Sequence, residues 1–175
     1  YLAVGETVTE EFTVTVDDQH GGTVDQLVTI TITGTNDDPT ITVVGTDASG
    51  GVTEDGSVTT LSDTGTITFG DIDLIDTHTA SVVASAANTL DGELVLGAVS
   101  GESATTEPGT VGWTYNVANS ATQYLALGET VTEEFTVTVE DPNGGTVDQL
   151  VTITITGTND APTITVVGTD ASGGV

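Results

Sequence analysis

The strongest constraint on this sequence is an internal repeat. Residues 1–52 recur as residues 124–175, at an offset of 123 positions and with five differences. The differing pairs are Val4 and Leu127, Asp17 and Glu140, Gln19 and Pro142, His20 and Asn143, and Asp38 and Ala161. Near-identity over that length is typical of tandem arrays, in which each unit stacks on the next. The chain, which starts at Tyr1 rather than Met, is therefore expected to be a window on a longer array.

A short polar segment that ends in proline marks the boundary between repeats. It ends at Pro39 and, one period later, at Pro162. Such segments favour extended linkers because the residue before a proline avoids the helical region. We therefore expect residues 39–161 to form one complete module. Residues 1–38 would be the C-terminal part of a preceding module, and residues 162–175 the start of the next.

Short alternating runs of Val, Ile and Thr dominate the complete module and predict strands. The predicted strands lie within residues 41–44, 57–69, 79–84, 93–99, 111–117, 134–139 and 151–155. No segment has a sustained helical period. About seven short strands separated by turns predict an all-β fold of the β-sandwich type. The large side chains expected in its core are Phe69, Trp113, Tyr115 and Phe135.

The charge of the chain limits the classes of molecule that it can bind. It has 27 acidic residues and no Lys or Arg, so its formal net charge is −27. Nucleic acids and anionic membrane surfaces would repel it, and no apolar run is long enough to span a membrane. Disorder, the other common meaning of high acidity, is disfavoured by the alternating Val, Ile and Thr runs. With no Cys and two His, a zinc site is disfavoured as well.

Several acids lie where predicted strands end rather than along strand faces. Asp71 and Asp73 follow one strand at a spacing of two, and Asp141 follows another before a glycine turn. Further acids and amides lie in the linker segments, namely Asn36, Asp37, Asp38, Asn159 and Asp160, and Glu54 and Glu129 lie in the short segments 52–56 and 127–129. Each of these alone could simply serve a solvated turn. Because the chain has no cation to offset clustered carboxylates, the set predicts a divalent-cation site. Ca²⁺ is the expected ion, since it takes six to eight oxygen ligands.

The sequence resembles the VCBS-type repeats of large bacterial RTX adhesins and, more distantly, cadherin modules. The segments TITITGTNDAP (152–162) and GTITFGDIDLIDTHTASV (65–82) carry the resemblance, which extends over the whole chain. It implies an immunoglobulin-like or cadherin-like β-sandwich used in tandem repeats. It also implies secretion to the bacterial cell surface and Ca²⁺ that stiffens the junctions between modules.

The cadherin pattern implies two groups of metal ligands. Its interdomain segment resembles residues 36–39 and 159–162, although this chain has Gly34 and Thr35 in place of the leading Asp. The first junction would use Glu6, Asn36, Asp37, Asp71, Asp73 and Asp141. The second would begin with Glu54, Glu129, Asn159 and Asp160.

The function expected from the repeat and the resemblance is structural. The chain would be a calcium-stabilised extender repeat of a secreted, cell-surface adhesin, with neighbouring repeats of the same polypeptide as its partners. The alternative is a subunit of an extracellular fibre, a homotypic assembly in which strands are donated between partial modules. A glycan-binding or glycan-cleaving module would need an exposed Trp113.

No enzyme is expected. His20 is replaced by Asn143 in the second copy, and His78 is expected to be structural or exposed. The adjacent acids Glu133 and Glu134 would point to opposite faces of a strand, so they would not share a catalytic site.

Overall fold

The computed structural model describes residues 2–101 and 109–164, and these residues form ten strands. The strands are β1 Thr7–Asp17, β2 Thr23–Thr33, β3 Thr40–Ile41, β4 Ser49–Thr53, β5 Thr60–Gly70, β6 Thr79–Ala84, β7 Glu93–Leu96, β8 Gly109–Ala118, β9 Thr130–Glu140 and β10 Thr146–Thr156. The helical content of the described chain is one 3-10 turn, Asn119–Ala121. None of its helices is long and apolar enough to cross a bilayer.

Strands β3 to β10 form a β-sandwich of two four-stranded sheets. One sheet has the order β4-β10-β9-β6 and the other β3-β5-β8-β7. All pairings are antiparallel except that of β4 with β10. The predicted all-β sandwich fold is therefore confirmed. Residues 165–175, most of the segment expected to start a further module, lie outside the described residues.

The core lies between the two sheets, and strand alternation explains its composition. In β9 and β10 alternate residues point inward, and most of them are Val, Ile or Phe, with Glu133 and Gln149 as the exceptions, while Thr occupies most outward positions. The four aromatic residues predicted for the core are all buried. Trp113 also donates its indole N–H to the Asp47 carbonyl at 2.7 Å. Its burial removes the exposed stacking surface that a glycan-binding module would need.

Two strand predictions were wrong in their bounds. The strand expected over 41–44 ends at Ile41, and Val43 and Val44 are each 85% exposed. The chain turns away there towards Gly45, which has a φ of +92°. The strand expected over 93–99 ends at Leu96.

Strand β4 was not predicted because its sequence, SGGVT, is rich in glycine. The structure shows why glycine is needed at position 50. A Cβ there would lie 2.7 Å from Cδ1 of Ile153 and 2.9 Å from Cη2 of Trp113. The absence of a side chain therefore lets the indole and the β10 core residue close against this edge strand.

Strands β1 and β2 form a separate two-stranded hairpin that repeats the sequence of β9 and β10. Among the described residues they pair only with each other. The consequence is visible in equivalent side chains: Phe12 is 48% exposed and Phe135 2%, while Ile30 is 49% exposed and Ile153 is fully buried. Nearly the same sequence thus forms an exposed hairpin in β1–β2 and a buried part of the sandwich core in β9–β10.

The fit of Trp113 against β5 predicts a sharp difference between two glycines. A Cβ at Gly65 would clash with the indole, whereas a Cβ at Gly112 would find its nearest neighbour at 3.9 Å. Gly65→Ala is expected to lower the free energy of unfolding by about 1–3 kcal/mol through overpacking. Chemical denaturation in EDTA would measure it, with Gly112→Ala as the matched control. Equal effects of the two substitutions would contradict the described packing.

Candidate metal centre at the linker

The linker, residues 34–39, contacts the sandwich through two hydrogen bonds. The side-chain amide of Asn36 donates to Oδ2 of Asp141 at 3.0 Å. The backbone N–H of Asp37 donates to Oδ2 of Asp73 at 2.9 Å. The linker is therefore attached to two different loops at one end of the sandwich, the loop after β5 and the turn between β9 and β10.

The loop after β5 holds two buried carboxylates. Asp71 and Asp73 are 6% and 1% exposed. Oδ1 of Asp71 accepts the backbone N–H of Asp73 at 2.8 Å, and its Oδ2 lies 3.0 Å from Nε2 of His78. The His78 ring packs edge-on against Phe69, with the ring centroids 4.9 Å apart. Burial and these bonds hold the Asp71 carboxylate in place, and His78 has the structural role expected of it.

The turn between β9 and β10 presents the third carboxylate. Oδ1 of Asp141 accepts the backbone N–H groups of Asn143 at 2.7 Å and of Gly145 at 2.9 Å. The side-chain amide of Asn143 donates to Oδ2 of Asp76 at 3.0 Å. The turn therefore links Asp141 to a further acid of the loop after β5.

The carboxylate of Asp38 also reaches the same turn, from the linker. A Cβ at Gly145 would clash with Oδ2 of Asp141 and with Oδ1 of Asp38. Both oxygens therefore lie against the same glycine, one from each side of the junction. Glycine at this position leaves space for both carboxylates, which a larger side chain would displace.

The pKa of Asp141 lies below its ordinary value. Burial pushes it upward, but hydrogen bonds from the Asn36 side chain and from the backbone N–H groups of the turn outweigh that effect. The ionised form of Asp141 is thus stabilised at the point where the linker meets the sandwich.

The pKa of Asp76 is raised. Burial is the largest cause, and the nearby carboxylates of Asp73, Asp71 and Asp141 add to it, against the opposing hydrogen bond from Asn143. Asp76 therefore senses the charge of the other three acids, and the cluster lies in a chain without Lys or Arg. Its repulsion is unbalanced by any cationic side chain except His78 when protonated.

Two buried oxygens at this junction lack a hydrogen-bond partner. They are Oδ1 of Asp73 and Oδ1 of Asn36. Buried polar atoms are rarely left unpaired, because desolvation without a partner costs about 1–3 kcal/mol. Carboxylate and amide oxygens of this kind are suitable ligands for a hard cation.

The oxygen atoms at this junction are of the kinds that bind a hard cation, but they do not all converge on one point. Within residues 2–101 and 109–164, no group of three or more His, Cys, Asp or Glu side chains is arranged to hold a metal ion as it stands. Asp73 and Asp141 each bond to the linker rather than to one shared point. Side-chain rotations would be needed to bring the oxygens together around an ion.

The first hairpin provides an internal comparison for this turn. Oδ1 of Asp18 accepts the backbone N–H groups of His20 at 2.8 Å and of Gly22 at 2.9 Å, as Asp141 does in the second copy. These backbone bonds lower the pKa of Asp18. Asp18 is nevertheless exposed, and among the described residues its side chain accepts hydrogen bonds only from its own turn. The turn geometry is therefore local, and what distinguishes Asp141 is the linker that covers it.

Glu6, expected at the same junction, makes its side-chain hydrogen bond elsewhere. Its Oε2 accepts the backbone N–H of Ala3 at 3.0 Å. Its backbone carbonyl accepts the N–H of Gly34, the first residue of the linker, at 2.9 Å. The structure thus links Asn36, Asp37, Asp71, Asp73 and Asp141 by hydrogen bonds, and leaves the Glu6 carboxylate in its own turn.

The second predicted group lies near the other end of the sandwich and is less connected. Glu54 is 3% exposed; its Oε2 accepts the N–H of Thr158 at 2.9 Å, and its Oε1 has no partner. Glu129 is exposed and accepts the N–H of Ala126, as Glu6 does with Ala3. Asn159 and Asp160 are also exposed.

Three residues of the junction were not among the predicted ligands: Asp38, Asp76 and Asn143. Asp76 had a sequence signal, since it follows Asp71 and Asp73 in the same loop, three residues after Asp73. Asp38 and Asn143 stand at positions that differ between the two copies, so the repeat itself gave no reason to select them.

No protein-family model and no curated protein matches this chain. Among solved structures, it is similar to a zebrafish RET structure of cadherin-like domains 1 to 4, with 13% sequence identity and a TM-score of 0.36. The match covers 88% of this chain and 34% of that one. A likeness at that TM-score defines neither a shared fold nor a shared function.

The raised pKa of Asp76 gives a testable consequence. Ionised Asp76 destabilises the fold, so Asp76→Asn in EDTA is expected to raise the free energy of unfolding by up to about 1 kcal/mol. The gain should be present above the folded-state pKa of Asp76 and vanish at lower pH, where the wild-type carboxyl is already neutral. Thermal unfolding between pH 3 and 7 would measure it, with the exposed Glu93→Gln as control. A loss of stability on Asp76→Asn at neutral pH would refute the repulsion.

Proposed function

We propose that this chain is a calcium-stabilised structural extender repeat of a secreted, cell-surface adhesin. Its role is to hold a binding domain at a distance from the cell, and length scales with the number of repeats. The observation that carries the proposal is the linker itself. It bonds to Asp73 and Asp141 across the junction and leaves two buried oxygens without partners.

Ca²⁺ is the cation that best suits this junction. The candidate ligands are carboxylates and an amide oxygen, and Ca²⁺ accepts such ligands in irregular arrangements. The residues proposed to hold it at the first junction are Glu6, Asn36, Asp37, Asp71, Asp73 and Asp141. Those proposed for the second junction are Glu54, Glu129, Asn159 and Asp160.

The ion would supply positive charge that the chain lacks. Bound by linker and module residues together, it would offset the repulsion among Asp71, Asp73, Asp76 and Asp141 and restrict the angle between the modules. With the ion bound only by the folded junction, its binding free energy adds to the stability of that junction.

The proposed partners are neighbouring repeats of the same polypeptide at a bacterial cell surface. The net charge of −27 disfavours nucleic acid and anionic membranes as partners. No catalytic role is proposed, because the carboxylate–histidine pair found within residues 2–101 and 109–164, Asp71 with His78, is buried and serves the junction.

The repeat supplies a matched pair of variants to test the calcium site. Asp141→Asn is expected to weaken Ca²⁺ binding in calorimetry by about tenfold or more, because it removes one ligand charge. Asp18→Asn changes the same turn where no linker covers it, so it should leave the affinity unchanged. In the wild type, EDTA should lower the melting temperature and shorten the particle in small-angle scattering.

Two outcomes would overturn the proposal. One is a wild-type chain whose melting temperature and scattering profile are the same in Ca²⁺ and in EDTA. The other is Ca²⁺ binding that Asp18→Asn and Asp141→Asn weaken equally, which would indicate diffuse attraction to an acidic surface.

The second candidate function is a fibre assembled by strand donation between partial modules. The uncovered apolar face of the β1–β2 hairpin favours it, since exposed sheet surfaces and edges invite pairing with another chain. Sedimentation equilibrium in Ca²⁺ tests it. A mass that rises with concentration supports the fibre, and a constant monomer mass excludes it.

A further inference from the structure

The β1–β2 hairpin carries an apolar face that includes one acid, Glu10. Alternate residues of both strands share this face: Val8, Glu10, Phe12, Val14 and Val16 from β1, and Val24, Gln26, Val28, Ile30 and Ile32 from β2. Every one of them is exposed. A patch of this extent on a soluble chain marks an interaction surface.

The β9–β10 hairpin shows which surface covers this face. Its two strands differ from β1 and β2 at one position, where Glu140 replaces Asp17. In the sandwich the face lies against the sheet of β5, β8 and β7, and Val137, Val151 and Ile153 become fully buried. The shape that fits the face of β1–β2 is thus present in the same chain.

The acid in that face has specific partners when it is covered. Glu133, the equivalent of Glu10, is fully buried. Its Oε2 accepts the hydroxyl of Tyr115 at 2.8 Å, and its Oε1 accepts the backbone N–H of Leu90 at 2.8 Å. A Cβ at Gly92 would clash with Oε2 of Glu133 and with the Tyr115 hydroxyl, so that glycine makes room for the pair.

Two donors are needed because the chain has no Lys or Arg to neutralise a buried carboxylate. A surface that is only apolar would bury Glu10 without a partner, at a large cost in free energy. Two β1–β2 hairpins packed face to face would bring two such acids into their interface. Glu10 therefore determines which surfaces can pack on this face at low cost in free energy, whereas the apolar residues accept any apolar surface.

We propose that Glu10 is a specificity-determining residue of a docking surface on β1–β2. The partner of that surface is a copy of residues 39–123 in a tandem array, which presents a tyrosine hydroxyl and a free backbone N–H to Glu10. In the uncovered state Glu10 also opposes self-association of the hairpin. The inference does not involve calcium, so its tests are run in EDTA and fail independently of the proposed metal sites.

The test uses the full chain and a tandem polypeptide in which a second copy of residues 39–123 precedes Tyr1. Hydrogen exchange by mass spectrometry reports on β1–β2 through peptides that span residues 17–20, whose sequence differs from that of 140–143. We expect the added copy to slow exchange in β1–β2 by about 100-fold or more, because core strands open only in near-global unfolding. Unchanged exchange would overturn the proposal.

The role of Glu10 is tested by Glu10→Val, with Glu11→Val on the opposite face as the control of equal charge. In the tandem polypeptide, Glu10→Val should reduce the protection of β1–β2 at least about tenfold, because it leaves a tyrosine hydroxyl and an N–H unpaired. Exchange in β9–β10 verifies that the other module stays folded. Equal protection in the two variants would refute the role.

In the 175-residue chain, the same variants test the opposition to self-association. Glu10→Val should give a mass that increases with concentration in sedimentation equilibrium, whereas the wild type and Glu11→Val remain monomeric. A wild-type dimer, or equal association of both variants, would show that Glu10 does not select the partner.

Discussion

The structure depends on covering one face of a valine- and isoleucine-rich hairpin. A two-stranded hairpin has no interior of its own, so its apolar face is removed from water only by a second sheet. The chain contains this hairpin twice with nearly the same sequence. Where β5, β8 and β7 cover it, Phe135, Val151 and Ile153 form the core; where nothing among the described residues covers it, Phe12, Val28 and Ile30 remain exposed.

The second constraint is the negative charge of the chain, which no Lys or Arg side chain offsets. In most proteins Lys and Arg offset carboxylates, but this chain must manage 27 acids by other means. Glu133 is stabilised inside the core by a tyrosine hydroxyl and a backbone N–H. At the linker, backbone N–H groups and a side-chain amide donate hydrogen bonds to some of the carboxylate oxygens of Asp71, Asp73 and Asp141. The buried oxygens that remain without a hydrogen bond are the basis for proposing Ca²⁺.

Sequence patterns predicted the sandwich because a period of two residues is a direct signal of a half-buried strand. They also selected Asp71, Asp73 and Asp141, whose positions at strand ends follow from the same pattern. The patterns failed where tertiary contacts, rather than local sequence, determine the structure of a segment. Gly50 lies in a strand where the Trp113 ring packs against it, which no local pattern reveals, and the apolar pair Val43 and Val44 lies in an exposed turn.

The same limit applies to the candidate site. Contacts of Asp38 and Asn143 join segments about a hundred residues and about seventy residues apart in the chain, across a junction whose geometry depends on how the linker lies. The turns at Asp18 and Asp141 differ at two positions yet share the same two backbone hydrogen bonds to the Asp side chain, so these bonds are local to the turn. Whether a linker contacts the turn depends on the arrangement of the modules, which cannot be predicted from the sequence of the turn.

The most direct test of the account is a crystal structure of this chain grown in Ca²⁺, with an anomalous difference map collected at long wavelength. The account predicts an anomalous peak at the linker, within coordination distance of oxygens from Asp73, Asp141 and Asn36 or Asp37. A map without a peak at that junction, from crystals grown at saturating Ca²⁺, would contradict it.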